Sequence, residues 1–116
     1  MSHFIYKICP APLWLSAEAD GVFKGAGIDL QDGYIHFSTY EQSAETLALH
    51  FTKQNGLTFV QVDTRQLDIK WEASRGGQLF PHLYDELPIS AVTATWHLEL
   101  DDDGTHILPA ISDNGS

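Results

Sequence analysis

Residues 34–51, YIHFSTYEQSAETLALHF, change period in the middle. Over Tyr34–Ser38 the residues alternate, so that Ile35 and Phe37 point to one face of a strand while Tyr34, His36 and Ser38 point to the other. From Thr39 the apolar residues move to helical spacing, with Ala44, Leu47, Ala48 and Phe51 at i, i+3, i+4 and i+7. Two capping boxes compete at the junction, Ser38-x-x-Glu41 and Thr39-x-x-Gln42, and spacing does not choose between them. Gly56 is the expected helix stop.

Outward from this junction the chain alternates short strands with breaks. Phe4–Cys9 reads as a first strand ending at Pro10, and Ala11–Asp20 as a helix with Pro12 in its first turn and Gly21 at its end. Residues 22–33 hold Gly25, Gly27, Gly33, Asp29 and Asp32 and read as a connecting loop. Leu57–Val62 and Ile69–Glu72 read as strands, and residues 78–84, QLFPHLY, as an apolar segment whose Pro81 belongs at an edge or irregular position. The plainest strand is Val92–Leu100, where Val92, Ala94, Trp96, Leu98 and Leu100 alternate with polar residues. Asp101–Gly104 turns it towards a returning His106–Leu108. Five or six strands and two helices in irregular order predict an α+β fold, one small domain over residues 1–111, with 112–116 a flexible polar tail.

The chain has 116 residues and a formal net charge of −10, with 43% hydrophobic residues. That apolar share excludes a disordered chain, and the charge argues against a double-stranded nucleic acid or an anionic membrane as partner. Cys9 alone cannot form an intramolecular disulfide, no basic leader precedes an apolar run, and no stretch of 18 apolar residues occurs. A cytoplasmic location is expected. The acids fall mostly outside residues 33–39 and 76–84, among them Asp29, Asp32, Asp63, Asp85 and Asp101–Asp103. They are expected to form a solvated periphery around a nearly neutral, His-bearing centre that an anionic small ligand could enter.

Two constellations carry candidate chemistry. His36 and Ser38 stand together where a strand opens a helix, a setting whose free N–H groups favour an anion, unless His36 is a core histidine and Ser38 only a cap. In the second, paired Gly76 and Gly77 precede Phe80, His82 and Tyr84, either a ligand wall or an edge segment covering the core with Leu79, Leu83 and Leu87. Trp71 sets a flat ring beside Glu72, a candidate general base. A Walker A loop, G-x-G-x-x-G, G-x-S-x-G and H-E-x-x-H are all absent, and H-x-S occurs once where a two-histidine phosphoesterase needs two. Cys9 reads as a buried small residue, His3 as part of a frayed end, and a metal site from His36, His82 and Glu72 lacks a tight ligand spacing.

Ile5–Ile8 followed by a Trp-bearing helix, then residues 33–39, GYIHFST, then residues 79–84, LFPHLY, with Leu87-Pro88, resemble the bacterial domain of unknown function 952 family. The resemblance covers about residues 4–100. It implies a small fold similar to the ADP-ribosyltransferase fold, with two roughly perpendicular, mostly antiparallel sheets split around a cleft for a nucleotide or NAD-like ligand. Active members of that wider fold carry His or Arg on the first strand, a Ser/Thr strand opening a helix, and a late acid. Here Lys7 stands at the first position, Ser38 and Thr39 at the second, and Glu72 is the best candidate for the third.

The resulting expectations are three. The first is a pocket for NAD, ADP-ribose or a nucleotide, with His36, Glu72 and His82 as catalytic candidates. Lys7, Ser38, Thr39, Trp71, Phe80 and Tyr84 are its ligand-binding candidates, and the activity, if enzymatic, is that of an ADP-ribosyltransferase-like transferase. The second is a non-enzymatic domain that meets a protein through the aromatic segment 79–87. The third is RNA processing, which requires Lys7, Lys24, Arg65, Lys70 and Arg75 to gather on one side.

Overall fold

The computed structural model describes residues 3–111. The first strand β1 (Phe4–Pro10) leads into α1 (Ala11–Asp20), β2 (Val22–Phe23), α2 (Ile28–Asp32) and β3 (Ile35–His36). Then come α3 (Tyr40–His50), β4 (Leu57–Asp63), β5 (Ile69–Ala73) and β6 (Leu79–Leu83). The chain finishes with β7 (Leu87–Pro88), β8 (Val92–Leu100) and β9 (His106–Ile107). All strand pairs are antiparallel, in sheets ordered β1-β4-β8-β9, β3-β6-β5 and β2-β7. The result is a small, compact α+β domain with curled sheets, and no helix in the described residues is long and apolar enough to cross a membrane.

The four-stranded sheet is buried on both sides along β1 and β4, which is why these strands read as continuous apolar runs. Ile5 and Cys9 face one core with Trp14, Phe23, Ile35, Phe37 and Leu83, while Tyr6 and Ile8 face the other with Leu47, Leu57, Phe59 and Leu98. Tyr6 stacks on Phe59 with ring centroids 4.9 Å apart. A register shift at Gln61/Val62 leaves Thr93 as the extra residue of β8, so Val92 packs in the first core although Trp96 and Leu98 serve the second. The alternation expected over Val92–Leu100 holds in burial, Val92, Ala94, Trp96, Leu98 and Leu100 facing inward, and the bulge changes only which core Val92 meets.

Residues 35–38 stitch the two larger sheets together. Ile35 and His36 pair with Leu83 and His82, and Phe37 N donates to Pro81 O. Ser38 then exchanges both backbone hydrogen bonds with Tyr6 of β1. Pro81, expected at an edge or irregular position, lies in the central strand of its sheet. Its O accepts from Phe37 N, and its missing N–H falls where β3 is already leaving β6 for β1.

The helices depart from expectation in three ways. Three form, not two, because residues 28–32 make the short α2 inside the segment read as a loop; five residues are too few to show a helical period. In α3 the buried positions are Ser43 and Leu47, while Ala44 and Ala48 are exposed. Ser43 can be buried because its hydroxyl donates to Thr39 O at 2.8 Å, which a hydrophobic pattern does not register. The helix also ends at His50, and Gly56, at φ 71°, starts the turn into β4 instead. His3 is tied down, its carbonyl accepting from Thr64 N and Oγ1. The tail at 112–116 lies outside the described residues.

The junction resolves in favour of Thr39. Its hydroxyl accepts from Gln42 N at 3.2 Å, and Gln42 Oε1 accepts from Thr39 N at 3.0 Å, a complete capping box. Replacing Thr39 by Ala should therefore lower the free energy of unfolding by about 1 kcal/mol, and Thr39→Ser should restore most of it. Urea denaturation checks this: the midpoint should move without a change of slope.

Candidate functional site

One face of the β3-β6-β5 sheet packs on the core, and the other carries the polar residues. Ile35, Leu83 and Ile69 lie side by side on the core face, so the neighbouring row His36, His82 and Lys70 stands on the other. Glu72, two residues beyond Lys70, shares that outer face, as do Tyr34 and Tyr84 by the same alternation. The Tyr34 ring lies 4.5 Å from His36, 4.4 Å from His82 and 4.8 Å from Tyr84 between centroids. The two imidazoles are 5.3 Å apart.

His36 is held from the α2 side. Asp29, only 2% exposed, accepts four hydrogen bonds. Oδ1 takes His36 N at 3.0 Å and His36 Nδ1 at 2.7 Å, and Oδ2 takes Ala26 N at 3.0 Å and the Lys7 ammonium at 2.7 Å. Lys7 also donates to His36 O at 3.0 Å. Burial by itself would raise the Asp29 pKa, but the hydrogen bond from His36 and the charge and hydrogen bond of Lys7 bring it down to about 2. On its far side His36 Nε2 lies 3.1 Å from Asp32 Oδ2. The doubly protonated ring is the form that donates to both carboxylates at once.

His82 is held from β5. Its Nδ1 lies 2.8 Å from Glu72 Oε1, which also accepts from the Tyr84 hydroxyl at 2.7 Å. The hydrogen bond from His82, then that from Tyr84, holds the Glu72 carboxyl below its usual range, and the same carboxylate pushes Tyr84 up to about 12. Burial and the charges of Asp32 and Glu72 raise the Tyr34 phenol. In the His82 tautomer whose Nδ1–H donates to Glu72 the lone pair is on Nε2, which makes no hydrogen bond among the described residues. Trp14 Nε1 is the fully enclosed side-chain polar atom without a partner there, so Nε2, on a residue 4% exposed, still reaches solvent. The arrangement is that of an oriented general base beside a histidine poised to donate.

The structure thus brings His36, Glu72, His82 and Tyr84 together, sets Phe80 opposite Glu72 on the same face but buried, and places the other sequence candidates elsewhere. Lys7 is enclosed and ion-paired. The Ser38 hydroxyl lies 3.0 Å from that of Thr46, and Thr39 caps α3. Trp71 alternates away from Glu72 to the opposite face of β5, half exposed. Cys9 is buried, and burial chiefly pushes its thiol up to about 11. No group of three His, Cys, Asp or Glu side chains among the described residues is set to hold a metal ion. Lys24, Arg65 and Lys70 each lie beside an acid, Glu86, Asp63 and Asp68. An open depression of about 510 Å³ borders the cluster, sharing Tyr84 and Lys70 with it but neither histidine.

The expected solvated periphery is corrected at Asp29, which is the innermost acid of the site. Asp29 and Asp32, three residues apart on α2, present to the same histidine. Tyr34, which covers both imidazoles, went unselected as a site residue. Its alternation with His36 was the available signal; for Asp29 and Asp32 the chain offered none beyond proximity.

A carboxylate with a depressed folded pKa stabilises the fold above its ordinary pKa near 4, and that stabilisation is lost as pH falls towards 2. Asp29 should contribute a loss on the order of 2 kcal/mol across that window. Asp29→Asn should cost about 3–5 kcal/mol at neutral pH by leaving Lys7 buried and unpaired, and should remove this part of the acid dependence. Adding Lys7→Met should recover part of the cost. Urea titrations from pH 7 to pH 2 on the unchanged protein and the two variants provide the check.

The family model described as protein of unknown function (DUF952) matches residues 8–95. Among solved structures, the crystal structure of protein CC0527 from Caulobacter crescentus, a structural genomics target, is 47% identical. It matches with a TM-score of 0.85 over 90% of this chain and 93% of that one. The solution NMR structure of CC0527 is 48% identical, with a TM-score of 0.79 over 88% and 90% of the two chains. No curated protein matches. With the family model spanning both the β3 and the β6 motif, the chain belongs to the DUF952 family.

Proposed function

We propose that this protein is a cytoplasmic enzyme that binds the planar ring of a nucleotide or NAD-like small molecule and performs acid–base chemistry on it at His36 and His82. The observation that carries this is the pair of imidazoles 5.3 Å apart, each with its Nδ1 on a carboxylate, under a shared tyrosine ring. In this assignment His82 Nε2 accepts a proton, Glu72 fixes the tautomer and offsets the imidazolium that forms, and His36 donates from between Asp29 and Asp32. The likeness to the ADP-ribosyltransferase fold suggests the ligand class and a transferase reaction. Lys7, Ser38 and Thr39 are occupied within the fold, so the ring rather than the phosphates is the part held. Neither a membrane nor double-stranded nucleic acid enters this scheme.

Incubation with NAD, followed by chromatography for released nicotinamide, tests it. Turnover should fall about 10²- to 10⁴-fold in His82→Ala and in Glu72→Gln should fall less, with the pH profile shifted. Absence of turnover together with unmoved Tyr34, His36 and His82 NMR signals at millimolar NAD, ADP-ribose and nucleotides would overturn the proposal.

A second function, a protein-docking surface at segment 79–87, is favoured by one observation: Trp71, Leu79 and Tyr84 are about half exposed. Phe80, Leu83 and Leu87 are buried, so that surface would have to use Leu79 and Tyr84.

A further inference from the structure

Three acceptors on the outer face of the sheet stand uncommitted. Glu72 uses Oε1 for both His82 and Tyr84, and Oε2 makes no hydrogen bond among the described residues. Asp32 gives Oδ2 to His36 and leaves Oδ1 likewise. His82 Nε2, on a side chain more than nine-tenths buried, is the third. The cations nearby are already engaged: Lys7 with Asp29 at 2.7 Å, and Lys70, opposite His82 in register, with Asp68 at 3.3 Å. Asp32 meets His36 and Glu72 meets His82, and the two imidazoles lie 5.3 Å apart against the Tyr34 ring, so the carboxylates flank one site. Among the described residues, an entering anion would meet two carboxylates and no cation that is not already paired. A flat cation bearing N–H groups would meet three acceptors and the faces of Tyr34 and Tyr84.

We infer that the site selects a planar, N–H-bearing cation of the amidinium or guanidinium type, stacked on the tyrosines with its donors on Glu72 and Asp32. The inference deepens the acid–base assignment and rests on it: the charged ring or planar group enters, and any phosphates stay outside. Desolvated cation–aromatic contact and charge-assisted hydrogen bonds both act in the same direction, and neither is offered to a carboxylate or phosphate.

Benzamidinium, benzamide and benzoate share one shape and differ in charge, so titrating each against the full chain and following the Tyr34, His36 and His82 NMR signals isolates the effect. Benzamidinium should bind at least about tenfold more tightly than benzamide, and benzoate more weakly than benzamide. Glu72→Gln should bring the benzamidinium-to-benzamide ratio towards one, benzamidinium losing more affinity than benzamide. A merely structural role for Glu72 would weaken both alike. Benzoate binding as tightly as benzamidinium, a preference untouched in both Glu72→Gln and Asp32→Asn, or silence from all three probes would overturn the inference. Equal binding of the three would do so while leaving the acid–base assignment standing, since that is judged separately by the loss of NAD turnover in His82→Ala.

Discussion

Asp29 is the constraint on which the rest of the site depends. A carboxylate enclosed to this degree is tolerated only when every lone pair is met, and here Lys7, Ala26 and both the backbone and ring of His36 meet them. Those four contacts join β1, the loop before α2 and β3, so one side chain ties the distant first strand to two segments that flank Asp29 in the chain. The same contacts fix the orientation of the His36 ring and place Asp32, one helical turn further on, against its other nitrogen. Lys7 is thereby engaged in holding Asp29 and the backbone of His36.

The second requirement is geometric. His36 and His82 can approach only because β3 lies beside β6, and β3 is only two residues long. The chain transfers from β6 to β1 between Phe37 and Ser38, at the level where Pro81 has no N–H to offer. A longer β3 would demand a donor at Pro81 and would carry Ser38 away from Tyr6. The shortness of that strand, the position of the proline and the union of the two sheets are therefore aspects of one solution.

How much of this could be read in the chain follows from the range of each interaction. The strand at Phe4, the helix at Ala11, the period change at Thr39 and the alternation after Val92 are local, and all appear close to where the pattern puts them. The outward face carrying His36 follows from the period of two, and His36, Glu72 and His82 stood out as residue types, though not the distances that bring them together. The α2 helix was not legible, because five residues between glycines show no period. Asp29 was misread for a related reason: its burial depends on Lys7, 22 positions earlier, and an unpaired Asp in a glycine-rich stretch looks like any solvated loop acid. Ser43 hid from the pattern because its hydroxyl is satisfied by its own helix. The occupied state of Ser38 and Lys7 is tertiary in origin and left no trace in spacing.

The exchange of hydrogen bonds between Tyr6 and Ser38 also orders events in time. The first strand is made first but can complete neither of its edges early: one waits for Ser38, the other for Leu57–Asp63, which itself needs Val92–Leu98 beyond it. Contacts of such long separation are closed late and slowly, because chain entropy must be lost before they return anything. In a growing chain the residues of β1 would thus remain unpaired until more than half of the sequence had followed. An apolar strand in that position is a burden during synthesis, and Lys7, without a partner until Asp29 arrives, interrupts the one segment that would otherwise be free to pair with a neighbour.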